Sequence, residues 1–412
     1  MGNVLDVLQE RGFVEQVSDE AGLRQALERP LTFYIGYDPS ASSFHCGNLL
    51  TIMAAAHMQQ HGHRPILLVG GGTGMIGDPS GKTEMRQLLD QEQIASNVLA
   101  LRSQLTRFID MDHAAMLNNA DWLMELRYIP FLREIGRHFS VNRMLAAEAY
   151  RARMETGLSF LEFNYQLLQA YDFLCLYRQY GCTLQMGGND QWGNILAGVD
   201  LIRRVEGTEV YALTFPLLTT ASGAKMGKSA AGAVWLDADQ YSPYDFYQYW
   251  INTHDDDVER FLRIYTFLPT AEIQELGRLQ GADIRQAKAR LAYEVTRLVH
   301  GEPAAQEAKS ASQTLFAHVS DDIGTNDSIG AVLSTALDAQ TLAEGVPATA
   351  LLEQVGLCSS RSEARRLIQQ GGAYVNDQRI ESVDAVITNQ HLVDGELLLR
   401  AGKKRYHRVT IQ

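Results

Sequence analysis

Lys225-Met226-Gly227-Lys228-Ser229 places two lysines three apart on a glycine-softened loop, after the turn-rich run Thr219-Thr220-Ala221-Ser222-Gly223. Two mobile ammonium groups in such a loop suit a polyphosphate that gains charge during a reaction. Solvated turns share this composition, so the loop becomes informative only beside a second feature. That feature is His45-Cys46-Gly47-Asn48, between a strand and a helix. His45 and Asn48 lie one turn apart at the helix start. Both can donate hydrogen bonds where the helix end is partly positive. The plainer reading of the pair is N-terminal capping beside a surface histidine.

Tyr165, Gln169 and Asp172 fall at i, i+4 and i+7 of one predicted helix. They share a face. A polar stripe is usually a solvated face, but this one is not the Lys/Glu kind that solvent favours. Gly187-Gly188-Asn189-Asp190-Gln191 closes a predicted strand over Cys182–Met186. Two nucleotide motifs are decoys. Gly72-Thr-Gly74-Met-Ile-Gly77 has the dinucleotide glycine pattern, but Asp78-Pro79-Ser80-Gly81 follows where a phosphate-binding helix should run. Gly77 to Lys82 resembles a P-loop with one residue too few between its glycines.

The elements that must position these residues follow from periodicity. Leu31–Tyr37 reads as a buried strand broken by Asp38-Pro39-Ser40. A helix follows from about Gly47 to Gln60, then a wholly apolar strand over Pro65–Val69. Strand, helix, strand is a βαβ unit, and apolar strands belong to parallel sheets. Tyr34–Ser40, Gly70–Asp78 and Gly187–Gln191 then all lie at carboxyl ends of strands, where such sheets bind ligands. The expected fold class is α/β: a doubly wound, Rossmann-like parallel-sheet domain over 1–230, with a helical insertion near 105–160 and the lysine loop at 225–229. A helical domain is expected over 231–318, with helical tracts such as Glu272–His300. A linker over 319–345 and a small α+β domain over 346–412 complete the chain.

The 412 residues carry a net charge of −13, unevenly spread. Residues 346–412 hold 9 Lys/Arg against 7 Asp/Glu, and the rest 27 against 42. A locally basic tail on an acidic body can still bind phosphate. Cys46, Cys175, Cys182 and Cys358 form no CxxC pair, which argues against structural zinc or a disulfide framework and for a reducing, cytoplasmic setting. No apolar run approaches the ~20 residues of a membrane span. The N-terminus lacks the pattern of a signal peptide.

The two signatures together resemble those of class I aminoacyl-tRNA synthetases, and the residues between them resemble the tyrosine-specific, bacterial-type enzymes over nearly the whole chain. The family pattern His-Ile-Gly-His is altered here to His45-Cys46-Gly47-Asn48, which keeps an N–H donor in the last place. Ile35 stands where the family often has Cys. The resemblance implies a tyrosine site of Tyr34, Asp78, Tyr165, Gln169, Asp172 and Gln191. Tyr34 and Asp172 would meet the phenolic hydroxyl; Asp78, Tyr165 and Gln169 would meet the ammonium. It implies ATP contacts from Gly36, Asp38, Ser40, Gly47, Gly188, Asp190, Lys228 and Ser229. His45, Asn48, Lys82, Arg86, Lys225 and Lys228 would act on the phosphates, with Mg2+ carried by ATP and no protein-bound metal. It also implies a homodimer through the helical insertion.

The tail fits the same family. Ser360-Arg-Ser-Glu363 reads as a capping box opening a helix to Gly371. Ala373–Ile380 reads as two strands about an Asn376-Asp377 turn. The arrangement resembles an S4-type RNA-binding fold, with Arg361, Arg365, Arg366, Lys403, Lys404 and Arg405 as candidate tRNA(Tyr) contacts. A small basic domain with solvated charges is the plainer alternative. Two rival functions stand beside the tyrosine enzyme: a tryptophan-specific relative of the same fold, and an RNA-binding protein with an inactive synthetase core.

Overall fold

The computed structural model describes residues 2–78, 91–146, 150–151, 154, 157–221, 223, 226–229, 232–322, 333–358, 360–376, 378–393, 395–402 and 405–411. They form two compact units, residues 1–241 with 254–287, and residues 242–253 with 288–412.

The first unit is built on a six-stranded sheet. Its strands are β1 (Gln16–Val17), β2 (Thr32–Tyr37), β3 (Arg64–Val69), β4 (Ala115–Asn118), β5 (Cys182–Gly188) and β6 (Tyr211–Phe215). Their order is β1-β6-β5-β2-β3-β4. All neighbours are parallel except β1, which runs antiparallel to β6 at the edge. The expected βαβ unit is present as β2, the Cys46–Gln60 helix and β3. That helix is buried nearly all round, from Leu49 to Met58. This is why its apolar residues show little one-sided periodicity. The Tyr165–Tyr180 and Trp192–Glu206 helices flank β5, and Phe173, Leu174, Leu201 and Ile202 join one core with Ile66 and Leu68.

Four expectations need correction in detail. β4 lies inside the stretch read as helical insertion, which becomes helical only from Ala120 onward. A four-residue strand, Ala-Met-Leu-Asn, is too short to declare itself by alternation. Gly187 and Gly188 belong to β5 itself, pairing with Thr214 and Phe215. The Glu272–His300 tract is two helices, Thr270–Gly277 and Ile284–His300, separated by a short 3-10 turn at Gly281–Asp283.

In the second unit the Pro243–Ile251 helix packs on the Glu302–Asp322 helix, with Gln248 Nε2 donating to Ser312 Oγ at 3.0 Å. The expected linker over 319–345 is not a bare linker. Residues 319–322 complete a helix, and β9 (Leu333–Leu337) and a short helix, Ala339–Glu344, occupy its second half. β9 pairs in parallel with the last strand, β15 (Arg405–Ile411), so the terminal fold starts before Val346. Its sheet has the order β12-β11-β14-β15-β9, where β11 is Ala373–Val375, β12 is Gln378–Arg379 and β14 is Glu396–Ala401. Asn376 takes the left-handed φ of 45° that the tight β11–β12 turn requires. Leu352, Ile368, Leu397 and Val409 form its core.

Candidate active site

A cleft with about 1370 Å³ of empty space, open to solvent, lies at the carboxyl ends of β2, β3 and β5. Among the sequence-predicted residues it is lined by Tyr34, Gly36, Asp38, Ser40, His45 and Asn48. Asp78, Tyr165, Gln169, Asp172, Gly188, Asp190 and Gln191 line it too. The stripe on the Tyr165–Tyr180 helix therefore lines the cleft and is not a solvated outer face.

The innermost polar group is Asp172, only 2% exposed. Its Oδ2 accepts from Asn119 Nδ2 at 2.9 Å and its Oδ1 from Trp122 Nε1 at 2.7 Å. Burial raises its carboxyl to about 7, and the two donors pull in the opposite direction. Asn119 is itself tied down: Nδ2 donates to Thr73 Oγ1 at 2.9 Å, and Oδ1 accepts from Gly72 N at 2.8 Å. The Tyr34 hydroxyl is fully buried and has no hydrogen-bond partner among the described residues. Burial first, and the Asp172 charge second, hold its phenol well above the ordinary value. An orphaned hydroxyl beside a desolvated carboxylate is costly in an empty protein, and is expected where a ligand completes the pairing. The sequence reading missed Asn119, Trp122 and Thr73. A possible signal was the Asn118-Asn119 pair just past β4, but that strand was hidden within an assumed helical region.

Further out, Gln191 Nε2 bridges Asp78 Oδ2 at 2.6 Å and Asp190 Oδ2 at 3.2 Å. Its Oε1 accepts from Asn194 Nδ2 at 3.2 Å. The clustered carboxylates give this part of the cleft a negative character suited to an ammonium.

At the other end stands the N-terminus of the Cys46–Gln60 helix. His45 is its cap: Nδ1 accepts from Gly47 N at 3.0 Å, and Asn48 Oδ1 accepts from His45 N at 3.1 Å. The capping reading therefore holds for both residues, while both also face the cleft. With Nδ1 accepting, the neutral ring carries its proton on Nε2. Asn48 keeps Nδ2 as its donor. Gly227, with φ +85°, backs onto this turn: a Cβ there would lie 2.6 Å from Gly47 N. The lysine loop thus meets the helix start by backbone contact. Val234 O accepts from Cys46 N at 2.9 Å, and Gly227 O accepts from Val234 N at 2.9 Å. Lys228–Ser229 forms a short strand with Gly232–Ala233.

Lys82, Arg86, Lys225, Lys403 and Lys404 lie outside the described residues, as do the side chains of Lys228, Ser229 and Arg405. Arg361, Arg365 and Arg366 are exposed on the Arg361–Gln369 helix, which buries Ala364 and Ile368. Arg361 pairs with Glu353 at 3.1 Å. Among the described residues no group of three or more His, Cys, Asp or Glu could hold a metal ion.

Residues 25–317 match the family of class I tRNA synthetases for tryptophan and tyrosine. Residues 335–409 match the C-terminal domain typical of tyrosine–tRNA ligases. The chain is 57% identical to the tyrosine–tRNA ligase of Desulfosudis oleivorans, covering 100% of this chain and 99% of that one. It belongs to the tyrosyl-tRNA synthetases of class I. It is 51% identical to the tyrosine–tRNA ligase of Clostridium botulinum strain 657, with full coverage of both chains. A C-terminally truncated mitochondrial tyrosyl-tRNA synthetase from Aspergillus nidulans superposes with a TM-score of 0.69 at 30% identity, over 76% of this chain and 94% of that one. A tryptophanyl-tRNA synthetase from Encephalitozoon cuniculi shares the fold alone, at 14% identity and a TM-score of 0.55.

Proposed function

We propose a division of labour along the cleft for the reaction of a tyrosyl-tRNA synthetase. The enzyme activates L-tyrosine with ATP and transfers it to tRNA(Tyr). In our reading the tyrosine ring enters between β2 and the Tyr165–Tyr180 helix, and its hydroxyl lies between Tyr34 and Asp172. The observation that carries this is the buried Tyr34 hydroxyl, without a hydrogen-bond partner among the described residues, beside a carboxylate held by two donors. A phenol both donates and accepts, so it satisfies both groups. Phenylalanine leaves both unpaired, a rule for which tyrosine-specific synthetases are themselves the standard instance. Asp78, Tyr165, Gln169 and Gln191 receive the ammonium and orient the carboxylate.

The carboxylate is ionised at neutral pH and needs no general base. One of its oxygens attacks the α-phosphorus of ATP; the bond to the pyrophosphate oxygen breaks as tyrosyl-adenylate forms. Catalysis then rests on positioning and on stabilising charge as it moves to pyrophosphate. Gly36, Asp38, Ser40, Gly47, Gly188 and Asp190 hold the nucleotide, together with Lys228 and Ser229. His45 and Asn48 at the helix N-terminus, Lys225 and Lys228 from one loop, and Lys82 and Arg86 from another meet the phosphates. Magnesium enters as part of the ATP substrate, held by phosphate and water. In the second step a hydroxyl of the terminal tRNA ribose attacks the adenylate carbonyl and AMP leaves. Tyrosine-dependent ATP–pyrophosphate exchange, run against phenylalanine and tryptophan, tests the site. Exchange with tryptophan alone, or with no amino acid, refutes it.

The Arg361–Gln369 helix and the 403–405 segment supply the tRNA contacts. Deleting residues 333–412 should leave tyrosyl-adenylate formation intact while tRNA charging falls steeply. Intact protein should lose tRNA affinity as salt rises. Equal charging by both forms would remove the tail from the reading.

A homodimer completes the proposal. The 120–161 region exposes Tyr128 (60%), Ile129 (70%) and Phe160 (69%), apolar surface of the kind a second copy covers. Sedimentation equilibrium checks this. All four cysteines are free and buried, and no helix of the described residues is long and apolar enough to cross a membrane. The free cysteines fit the reducing, cytoplasmic location that this reading takes for the enzyme.

A further inference from the structure

The lysine loop is anchored at its base by two residues that no motif marks. Beyond β6 the chain passes through Leu218, Thr219, Thr220 and Ala221 before reaching Lys225. Asp257, 3% exposed, ends the short 3-10 turn Asp255–Asp257, and Arg260 follows one turn later in the Val258–Tyr265 helix. Asp257 Oδ2 accepts from Ala221 N at 2.7 Å. Arg260 Nη2 donates both to Asp257 Oδ1 and to the Thr219 carbonyl, each at 2.5 Å. Both carboxylate oxygens are therefore used, which a buried charge requires.

The clasp is rigidly mounted. Phe261, Leu262, Ile264 and Tyr265 of the same helix are all buried. It also communicates with the chemistry by backbone. Met226 N donates to the Leu218 carbonyl at 3.0 Å, so the two limbs of the loop meet next to the clasped residues. Met226 leads into Gly227, which lies against Gly47 at the start of the Cys46–Gln60 helix. A path of fixed contacts runs from Asp257 and Arg260 to the phosphate end of the cleft.

We propose that Asp257 and Arg260 are positioning residues for the lysine loop, setting where Lys225 and Lys228 meet the phosphates during tyrosine activation. The proposal rests on the reading above that these lysines act in that step. Neither residue is among those lining the cleft; the pair acts through the loop backbone.

The test is a double-mutant cycle read by single-turnover adenylate formation at saturating tyrosine and ATP. Asp257→Ala should slow the step by about 10–100-fold, as expected for a displacement of about an ångström in a positioned group. Tyrosine Kd should not change, because the hydroxyl and ammonium sites are built from other elements. Arg260→Lys should fall between, since an ammonium keeps the charge without the planar fork. In a Lys225→Ala background, Asp257→Ala should add little, because the group being positioned is already gone.

Full multiplication of the two single effects would overturn the proposal, since the clasp would then act independently of the lysine. So would an unchanged rate in a folded Asp257→Ala, or loss of tyrosine affinity matching the loss of rate. If Asp257→Ala does not fold, Arg260→Lys carries the same cycle. Normal lysine effects with silent clasp variants reject the clasp alone. Silent lysine variants reject the lysine reading, and the clasp with it.

Discussion

At the end of the cleft proposed to read the tyrosine hydroxyl, the groups are side chains on or beside regular elements: Tyr34 inside β2, Asp172 on the Tyr165–Tyr180 helix, Asn119 and Trp122 just past β4. At the phosphate end much of the architecture is backbone: a capped helix N-terminus, Gly47 and Gly227 in close approach, and a loop limb clasped by Asp257. The first end buries Tyr34 and Asp172, and Asp172, Asn119, Trp122 and Thr73 are tied together by hydrogen bonds. In the proposed reading the second presents amides and a loop to phosphates whose charge changes during reaction. The difference suggests that selection of the amino acid and stabilisation of the transition state are separable here, and substitutions can pull them apart.

The largest effect should come from Asp172→Ala. It removes a charged acceptor, takes one of two partners from Asn119 Nδ2, which keeps Thr73 Oγ1, and leaves the half-buried Trp122 Nε1 without its acceptor. The lost hydrogen bond from the ligand to a charged group is worth about 1.5–3 kcal/mol, and an unpaired donor costs about 1–3 kcal/mol more. The loss should appear in kcat/KM for tyrosine, with the ATP dependence little altered. A comparable loss in ATP affinity would mean that the two ends are not separable.

Next come Lys225→Ala and Lys228→Ala. Each should lower the activation rate by the worth of a hydrogen bond to a charged group, about 1.5–3 kcal/mol. Tyrosine affinity should be unchanged, because the contact strengthens only as charge develops. Pre-steady-state adenylate formation measures the rate and equilibrium dialysis the affinity. Lost affinity at an unchanged rate would place the lysines in ground-state binding.

The same contrast explains what was legible in the sequence. Tyr165, Gln169 and Asp172 could be read because helical spacing puts them on one face. His45 and Asn48 could be placed at the cleft because they open a helix directly after a strand; the lysine pair stands out by charge beside glycine, and its role belongs to the proposal. The βαβ unit could be read because its strands are uniformly apolar. Asn119, Trp122 and Thr73 could not: their role depends on where a four-residue strand ends, and three separate segments must converge before it exists. Asp257 and Arg260 were hidden for a similar reason. An acidic run followed by a helix looks like solvated surface until the fold brings Thr219 and Ala221 beside it. β9 was missed because its pairing with β15 spans some seventy residues, which no local pattern records.

A smaller and more diagnostic effect should follow from pH. Burial lifts the Asp172 carboxyl to about 7. The charged form is the better acceptor for a phenol, so tyrosine affinity should be full above that value and decline as pH falls through it. The stability of the empty protein should run the other way. Between the ordinary carboxylate range and about 7 the folded form binds the proton more tightly than the unfolded chain, so this group's contribution to stability falls as pH rises across that window. Trp122→Phe removes a donor to the charged form. It should move both midpoints to higher pH and weaken tyrosine binding at neutral pH by about 1–2 kcal/mol. Tyrosine titrations across pH, for parent and variant, measure the shift. Coincident profiles would show that Trp122 does not tune the carboxylate.

The smallest effect, and the one that isolates selection from stability, belongs to Tyr34→Phe. Its hydroxyl makes one neutral hydrogen bond to the ligand, worth about 0.5–1.5 kcal/mol. Preference for tyrosine over phenylalanine should therefore drop by about tenfold or less, far below the effect of Asp172→Ala. In the empty protein the same hydroxyl is buried without a hydrogen-bond partner among the described residues. Removing it eliminates an unsatisfied polar group, a class of defect that costs about 1–3 kcal/mol. The variant should accordingly unfold at a higher temperature than the parent when no tyrosine is present. Saturating tyrosine should narrow that gap, because only the parent gains the missing hydrogen bond. Thermal unfolding of both proteins, with and without tyrosine, reads the two quantities together. A destabilised empty variant would mean that the hydroxyl is satisfied without ligand, and the hydroxyl-reading end would not be waiting for a phenol.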